Sequence, residues 1–269
     1  MNVKDIEFCI IRAPGTNCDT ETSYSLEFFG CNASVIHVNK FFRGDIDIKS
    51  FHGLVIPGGF SYGDHIRSGA ILGKLLKNNL GESLLDFVDE GKLILGICNG
   101  FQVLVEMGIL PGIKGFTQDP TIALGKNISN KFEDRWVYLR NDNEGRCIFS
   151  KGIKLVRVPV NHGEGKVILP FGREEDTLKK LIKKDQVVFR YANPDGSSAN
   201  GNYPFNPNSS FSDIAGICDP SGQILGMMPH PEKAFHRITY PDWTRTGLDG
   251  MGDGYWIFKN MIDYLKNKF

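Results

Sequence analysis

The sequence predicts an α/β fold: a mainly parallel central sheet with helices on both faces, plus an antiparallel β-rich second half. Three observations carry it. Over roughly the first hundred residues, short apolar runs alternate with amphipathic stretches, the pattern of parallel strands joined by helical crossovers. After Pro111-Gly112 the character changes to strands separated by turn-rich pieces such as Asn193-Pro194-Asp195-Gly196 and Asp219-Pro220-Ser221-Gly222. No repeat, heptad pattern or evident linker divides the 269 residues, so the chain reads as one domain, residues 1–269.

The elements follow in order. Ile6–Ile11 reads as a buried strand, and Thr20–Phe29 as a helix stopped by Gly30. Ala33–Val38 and Leu54-Val55-Ile56 are the next strands, the latter ended by Pro57-Gly58-Gly59. Helical patterns cover Ile66–Lys77 and Leu84–Glu90, and Lys92–Ile97 is a fourth strand running straight into a helix at Gly100–Met107. Later strands are expected at Trp136–Leu139, Lys154–Val160, Val187–Tyr191, Ile214–Cys218 and Gln223–Met228. Ser197–Ser212, rich in Ser, Asn, Pro and Gly, reads as a long surface loop, and Tyr255–Leu265 as a closing helix.

Composition narrows the function classes. At 41% hydrophobic and 23% charged the chain is an ordinary globular protein. Its 31 basic and 31 acidic side chains cancel, which argues against a charge-driven nucleic-acid binder. The N-terminal apolar run is too short for a signal peptide, and nothing reaches the ~18 apolar residues of a membrane helix. A cytoplasmic, reducing location is therefore expected. The six cysteines are scattered, none in CxxC spacing or at a zinc-ligand interval from a histidine, so no metal is expected.

Chemistry concentrates in three places. Leu95-Gly96-Ile97-Cys98-Asn99-Gly100-Phe101-Gln102 takes a strand through a tight turn into a helix, a nucleophile elbow with cysteine in place of serine. Glycines flank Cys98 because the turn brings backbone segments close and strains the nucleophile. A helix N-terminus favours the thiolate, the reactive species, and the Asn99 N–H points where an oxyanion forms. The bland alternative is a core cysteine between strand and helix.

A thiol nucleophile needs a proton acceptor, and that acceptor needs an orienting group. Met228-Pro229-His230-Pro231-Glu232 supplies both: two prolines stiffen the loop around His230, and Glu232 can bond its second ring nitrogen. Alone, a His-Pro loop is usually only a loop. The third place, Pro57-Gly58-Gly59-Phe60-Ser61-Tyr62-Gly63-Asp64, lacks the spacing of a phosphate loop. It is expected to offer a second oxyanion donor from the Gly59–Phe60 region, a plain tight turn being the alternative.

These motifs, in this order, resemble the class I glutamine amidotransferases, with a flavodoxin-like sheet. Within that class the wording is most similar to the glutaminase of phosphoribosylformylglycinamidine synthase, from purine biosynthesis. The resemblance rests on Arg12-Ala13-Pro14-Gly15-Thr16-Asn17-Cys18-Asp19, Gly58–Asp64, Gly96–Gln102, Pro159-Val160-Asn161-His162-Gly163-Glu164-Gly165 and Pro229–Glu232. It implies that Cys98 is the nucleophile, His230 the acid/base and Glu232 its orienter. It further implies that Gly58, Gly59 and Gln102 contact bound L-glutamine, with the Asn161-His162-Gly163 loop near its α-amino or carboxylate end. A large ATP- and Mg-dependent synthetase and a small bridging subunit are the implied partners, with no cofactor in this chain and no nucleic acid or membrane contact.

His37, His52, His65 and His236 match no chemical role, and Cys18 is not nominated. One departure stands out: the compact form of this subunit ends soon after His-Pro-Glu, whereas here Arg237–Phe269 continues, with a Gly-rich run from Gly247 to Gly254. A peptidase or γ-glutamyl hydrolase is the rival enzyme reading, and an inactive scaffold domain the non-enzymatic one.

Overall fold

Among the described residues, nine strands form one sheet in the order β2-β1-β3-β4-β11-β10-β9-β6-β7. The computed structural model describes residues 1–113, 115–247 and 249–269, so Leu248 of the Gly-rich run lies outside the described residues. The first half supplies β1 (Glu7–Arg12), α1 (Asp19–Glu27), β2 (Asn32–His37), α2 (Asn39–Phe42), β3 (Gly53–Ile56), α3 (Ala70–Asp89), β4 (Leu93–Ile97) and α4 (Asn99–Met107). The second half adds β5 (Ala123–Lys126), β6 (Glu133–Asn141), β7 (Leu155–His162), β8 (Glu164–Ile168), α5 (Glu174–Lys183), β9 (Val187–Ala192), β10 (Ile214–Cys218), β11 (Ile224–Met227), α6 (Trp243–Thr246) and α7 (Tyr255–Lys268).

β1 to β4 pair in parallel, and β11 returns to lie parallel beside β4. From β11 outward, β10, β9, β6 and β7 are antiparallel. The fully apolar runs explain the centre: every residue of β3, β4, β9, β10 and β11 is buried, as expected of strands covered on both faces. Helices α1 with α7, and α3 with α4, cover the parallel half. β5 and β8 form a separate two-stranded sheet.

Several expectations change. Ile66–Lys77 and Leu84–Glu90 are not two helices; α3 runs unbroken from Ala70 to Asp89, and its start is set by Gly69 at φ +77°. β5, β8 and α5 were not expected from the sequence. Ser197–Ser212 carries little regular structure, yet Asn206, Asn208 and Ser210 within it are buried rather than solvated. Their side chains bond inward: Asn206 to the Ser210 carbonyl and Asp213, Asn208 to the Gly165 carbonyl and the Tyr191 hydroxyl.

The tail is integral to the core. α7 buries Ile257, Phe258, Met261, Ile262 and Leu265 in the same apolar cluster that contains β1 and β4. Just ahead of it, Gly254 packs so tightly beneath the His-Pro-Glu loop that a Cβ there would lie 1.9 Å from the Pro231 carbonyl oxygen. The preceding Asp253 accepts the Arg157 N–H of β7.

Candidate active site

The elbow is built from the sheet outward. β4 sits between β3 and β11, and its last residue hands the chain to Cys98, the N-cap of α4. Cys98 adopts φ +52°, ψ −105°, a conformation that costs a non-glycine residue on the order of 1–3 kcal/mol. It is held there because its N–H donates to the Met227 carbonyl of β11 at 2.8 Å and its carbonyl accepts the Gln102 N–H at 3.2 Å. The flanking glycines are steric requirements. A Cβ on Gly100 would lie 1.8 Å from the Ile56 carbonyl oxygen, and one on Gly96 would lie 2.7 Å from the Gly100 carbonyl oxygen.

β11 ends one residue before Met228-Pro229-His230. The His230 N–H donates to the Pro159 carbonyl of β7 at 2.8 Å, which fixes the loop to the antiparallel half. Its Nδ1 lies 2.5 Å from Glu232 Oε1, and both side chains are buried. Burial is the strongest influence on His230 and pushes it toward the neutral form. The Glu232 carboxylate and then the Cys98 and Cys18 thiols push the other way, and together they raise its pKa well above the ordinary value. Nε2 has no hydrogen-bond partner among the described residues, and the Cys98 thiol is turned to the Asn161 carbonyl at 3.6 Å. An unbonded thiol and imidazole at this stage do not exclude a nucleophile–base pair, since such bonds often tighten only when substrate binds.

Cys98 and His230 open into one cavity of about 230 Å³, and Asn17, Cys18, Gly59, Phe60, Phe132, Asn161 and Lys233 complete its wall. Larger clefts exist, for example about 340 Å³ between the start of β7 and α7, but they hold none of these groups.

Of the two N–H groups expected as a second oxyanion donor, one is already bonded. The Gly58–Phe60 turn is clasped to the Gly15–Cys18 loop: Asn17 and Cys18 N–H groups donate to the Gly58 carbonyl at 3.2 Å, and the Phe60 N–H donates to the Gly15 carbonyl at 2.9 Å. The Phe60 N–H is therefore engaged, whereas the Gly59 N–H is unpaired among the described residues. On the other side Asn99 opens α4, where first-turn N–H groups lack helical acceptors. Gly58 lies under the imidazole; a Cβ there would be 2.7 Å from His230 Cε1 and 3.2 Å from Cys18 Sγ.

The expected glutamine contacts divide. Asn161 lines the cavity, its Oδ1 accepting from Lys233 at 2.8 Å and its Nδ2 donating to Asp134 at 2.5 Å. Gln102, His162 and Gly163 are not part of the cavity wall. Gln102 is buried behind the elbow, its Oε1 accepting from Asn99 and its Nε2 donating to the Glu164 carbonyl. His162 is buried too, with Nδ1 3.0 Å from Asn127 Oδ1. The cavity also takes in Lys233 and Phe132, which no motif singled out, and Asn17 and Cys18, which lie in the leading motif but have no role assigned to them from the sequence. Lys233 carried a usable signal, since it follows Glu232 directly; Phe132 carried none. Of the unassigned histidines, His52 caps the Glu7 N–H at 3.0 Å and His236 pairs with Tyr24 at 2.9 Å, both structural uses.

Burial drives His162 down to about 3, so it stays neutral in the fold while the unfolded residue titrates near 6.5. The unfolded chain then binds the extra proton between those values, and stability falls as pH drops from about 6.5 toward 3. His162→Gln is expected to make the stability–pH slope in that window shallower by about 1.4 kcal/mol per pH unit. Urea denaturation at several pH values measures it; an unaltered slope would place the burden on other groups.

Thiol, imidazole and carboxylate meeting at the C-terminal edge of such a sheet define a class of protein, the glutamine amidotransferases with a nucleophile elbow. The chain belongs to the CobB/CobQ-like glutamine amidotransferase family, whose domain model matches residues 5–265. It is 43% identical to phosphoribosylformylglycinamidine synthase subunit PurQ of Archaeoglobus fulgidus, over 99% of both chains. It is 39% identical to the subunit of the same name from Methanococcus maripaludis, over 95% of this chain and 96% of that one. Among solved structures it resembles a chain of PurLQS from Thermotoga maritima, with a TM-score of 0.71 and 29% identity over 97% of this chain and 99% of that one. Relatives of matching length carry through the tail, so Arg237–Phe269 is no departure from them.

Proposed function

We propose that this chain is the glutaminase subunit of phosphoribosylformylglycinamidine synthase, hydrolysing L-glutamine to glutamate and ammonia for a partner synthetase. The partner uses the ammonia in the ATP-dependent conversion of formylglycinamide ribonucleotide to formylglycinamidine ribonucleotide, a step of purine biosynthesis. The observation that carries this reading is the near full-length identity to PurQ subunits, joined to the Cys98–His230–Glu232 arrangement in one cavity. The likeness to a chain of PurLQS supports assembly with a large synthetase and a small bridging subunit. We take residues 1–269 as one amidotransferase domain, supported by a single apolar cluster that runs from Ile6 to Leu265. No described helix is long and apolar enough to cross a membrane.

In the mechanism, the Cys98 thiolate attacks the glutamine amide carbon, and the resulting oxyanion accepts hydrogen bonds from the Asn99 and Gly59 N–H groups. His230, protonated with Glu232 stabilising its charge, gives its Nε2 proton to the departing ammonia and leaves a γ-glutamyl thioester. Neutral His230 then takes a proton from water, the hydroxide adds to the thioester, and glutamate leaves as the thiolate reforms. The donor set asks for no metal or organic cofactor in this half-reaction, and ATP and Mg belong to the partner. Assaying glutamate release from free glutamine against γ-glutamyl peptides tests the reading; preference for the peptides would overturn it.

The isolated chain is expected to be a poor glutaminase that its partner activates. An ungated enzyme would waste glutamine and release ammonia, and the Gly59 peptide, at φ +148°, can be reset at little cost compared with any other residue. Because the clasp ties that peptide to Gly15 and Asn17, gating would move both loops together. Glutamate release by the chain alone should rise at least tenfold when synthetase, nucleotide and acceptor are added. Equal rates in the two assays would exclude gating while leaving the triad intact.

A further inference from the structure

Cys18, which the mechanism does not use, stands on the Glu232 side of the catalytic imidazole. Its Sγ is 4.0 Å from His230 Nδ1, and the ligand atoms of Cys18, His230 and Glu232 all lie within 4.8 Å of one another. All three residues are buried, and no other group of described residues brings three such donors together. A second observation points to a ligand: Glu232 Oε2 is buried and has no hydrogen-bond partner among the described residues, although Oε1 is bonded to the ring. The absence of a side chain at Gly58 opens the space between ring and thiol, since a Cβ there would crowd both.

We propose that Cys18 Sγ, His230 Nδ1 and the Glu232 carboxylate form a site for Zn²⁺, whose occupation switches the enzyme off. One thiolate, one imidazole nitrogen and one carboxylate oxygen are a donor set of zinc type. Bonds of roughly 2.0–2.3 Å in a tetrahedron set ligand atoms roughly 3.3–3.7 Å apart. The Sγ–Nδ1 separation needs to contract by only a few tenths of an ångström to reach that range, and rotation of Glu232 presents its unpartnered Oε2 in place of Oε1. Binding releases the Cys18 thiol proton and the His230 Nδ1 proton to solvent, the ring keeping its proton on Nε2, and solvent completes the coordination. The metal reaches the site through the cavity that Cys18 and His230 both line. Occupation takes Nδ1 and Glu232 out of the triad, so the ring loses the partner that stabilises its charge. Binding stands on the geometry alone, whereas inhibition rests on the triad reading above, and the test separates them.

The test uses the full chain, stripped with chelator and titrated with Zn²⁺, or with Co²⁺ as a spectroscopic probe. The wild type and Cys98→Ala are expected to bind one equivalent, with a thiolate-to-cobalt charge-transfer band in both. Cys18→Ser should bind at least tenfold more weakly and lose the band. X-ray absorption of zinc on the Cys98→Ala protein should show one sulfur ligand, a readout that does not depend on the Cys18 variant folding. A band that disappears with Cys98→Ala but persists in Cys18→Ser would put the metal on the nucleophile and overturn the proposal, as would the absence of any sulfur ligand. In the assembled complex, Zn²⁺ should depress glutamine-dependent synthesis and spare ammonia-dependent synthesis. Stoichiometric binding through Cys18 without that loss would retain the site and refute the inhibitory switch.

Discussion

Cys98→Ala is expected to abolish glutamine-dependent synthesis while ammonia-dependent synthesis by the assembled complex survives. Of the six thiols only Cys98 sits at the strand-to-helix elbow, and it opens into the cavity of His230. Removing a nucleophile that works as one unit with its base costs on the order of 10⁶ in turnover, because neither partner substitutes for the other. Ammonia supplied from solution bypasses this chain altogether. Replacing Cys9, Cys31, Cys147 or Cys218 with Ala should leave the chemistry intact, since each is a buried small apolar group away from the cavity. Measuring glutamate release and amidine formation in parallel decides the matter. Near-normal glutamine use by the Cys98 variant would remove the thioester from the mechanism.

Gly100→Ala is expected to have the largest effect on stability, about 3 kcal/mol or more, and to cost activity as well. The added methyl would stand 1.8 Å from the Ile56 carbonyl oxygen, backbone of a central strand with no freedom to retreat. Either α4 lifts from β3 or the strand distorts, and overpacking of this kind costs 1–3 kcal/mol or more. Lifting α4 also moves the Asn99 N–H and the strained Cys98 turn. Gly81→Ala provides the contrast, because beyond its own helix backbone no described atom lies within 4 Å of a Cβ at that position. It should be neutral or stabilise by up to about 1 kcal/mol. Denaturant midpoints of the two variants test this, and similar midpoints would show that the elbow yields more easily than its packing implies.

Much of the parallel half was legible because its strands are short runs of nothing but apolar residues. β4 and α4 meet at a glycine-flanked cysteine, so the elbow could be placed without any tertiary knowledge. α3 looked divided because Gly81 lowers local helix propensity. Leu72, Leu76, Leu80, Leu84 and Phe87 nevertheless keep one buried stripe, and packing on that stripe outweighs the glycine. β5 and β8 escaped notice because each half-buries only a few residues and gains its pairing from a distant segment. α5 buries Leu181 alone, yet Glu174, Glu175 and Asp176 at its start and Lys180 and Lys183 at its end were a readable charge signal. Asn206 and Asn208 misled because composition cannot tell an amide that faces water from one that bonds buried carbonyls. Within the site, Cys98, His230 and Glu232 announced themselves by local context. The Lys233–Asn161–Asp134 chain joins three separate segments, and no spacing along the sequence contains it.

The clasp between the two glycine turns also bears on how this site tolerates change over generations. A methyl at position 15 would lie 2.0 Å from the Phe60 carbonyl oxygen, and one at position 59 would lie 2.6 Å from the Gly15 carbonyl oxygen. Each glycine thus guards the seat of the other. Drift at one position cannot be rescued by a compensating enlargement opposite it, and the pair must be inherited as a unit. A library that randomises either loop alone should return glycine at both positions, whereas exchange of the two loops together from a relative offers a route to altered gating with the elbow left in place.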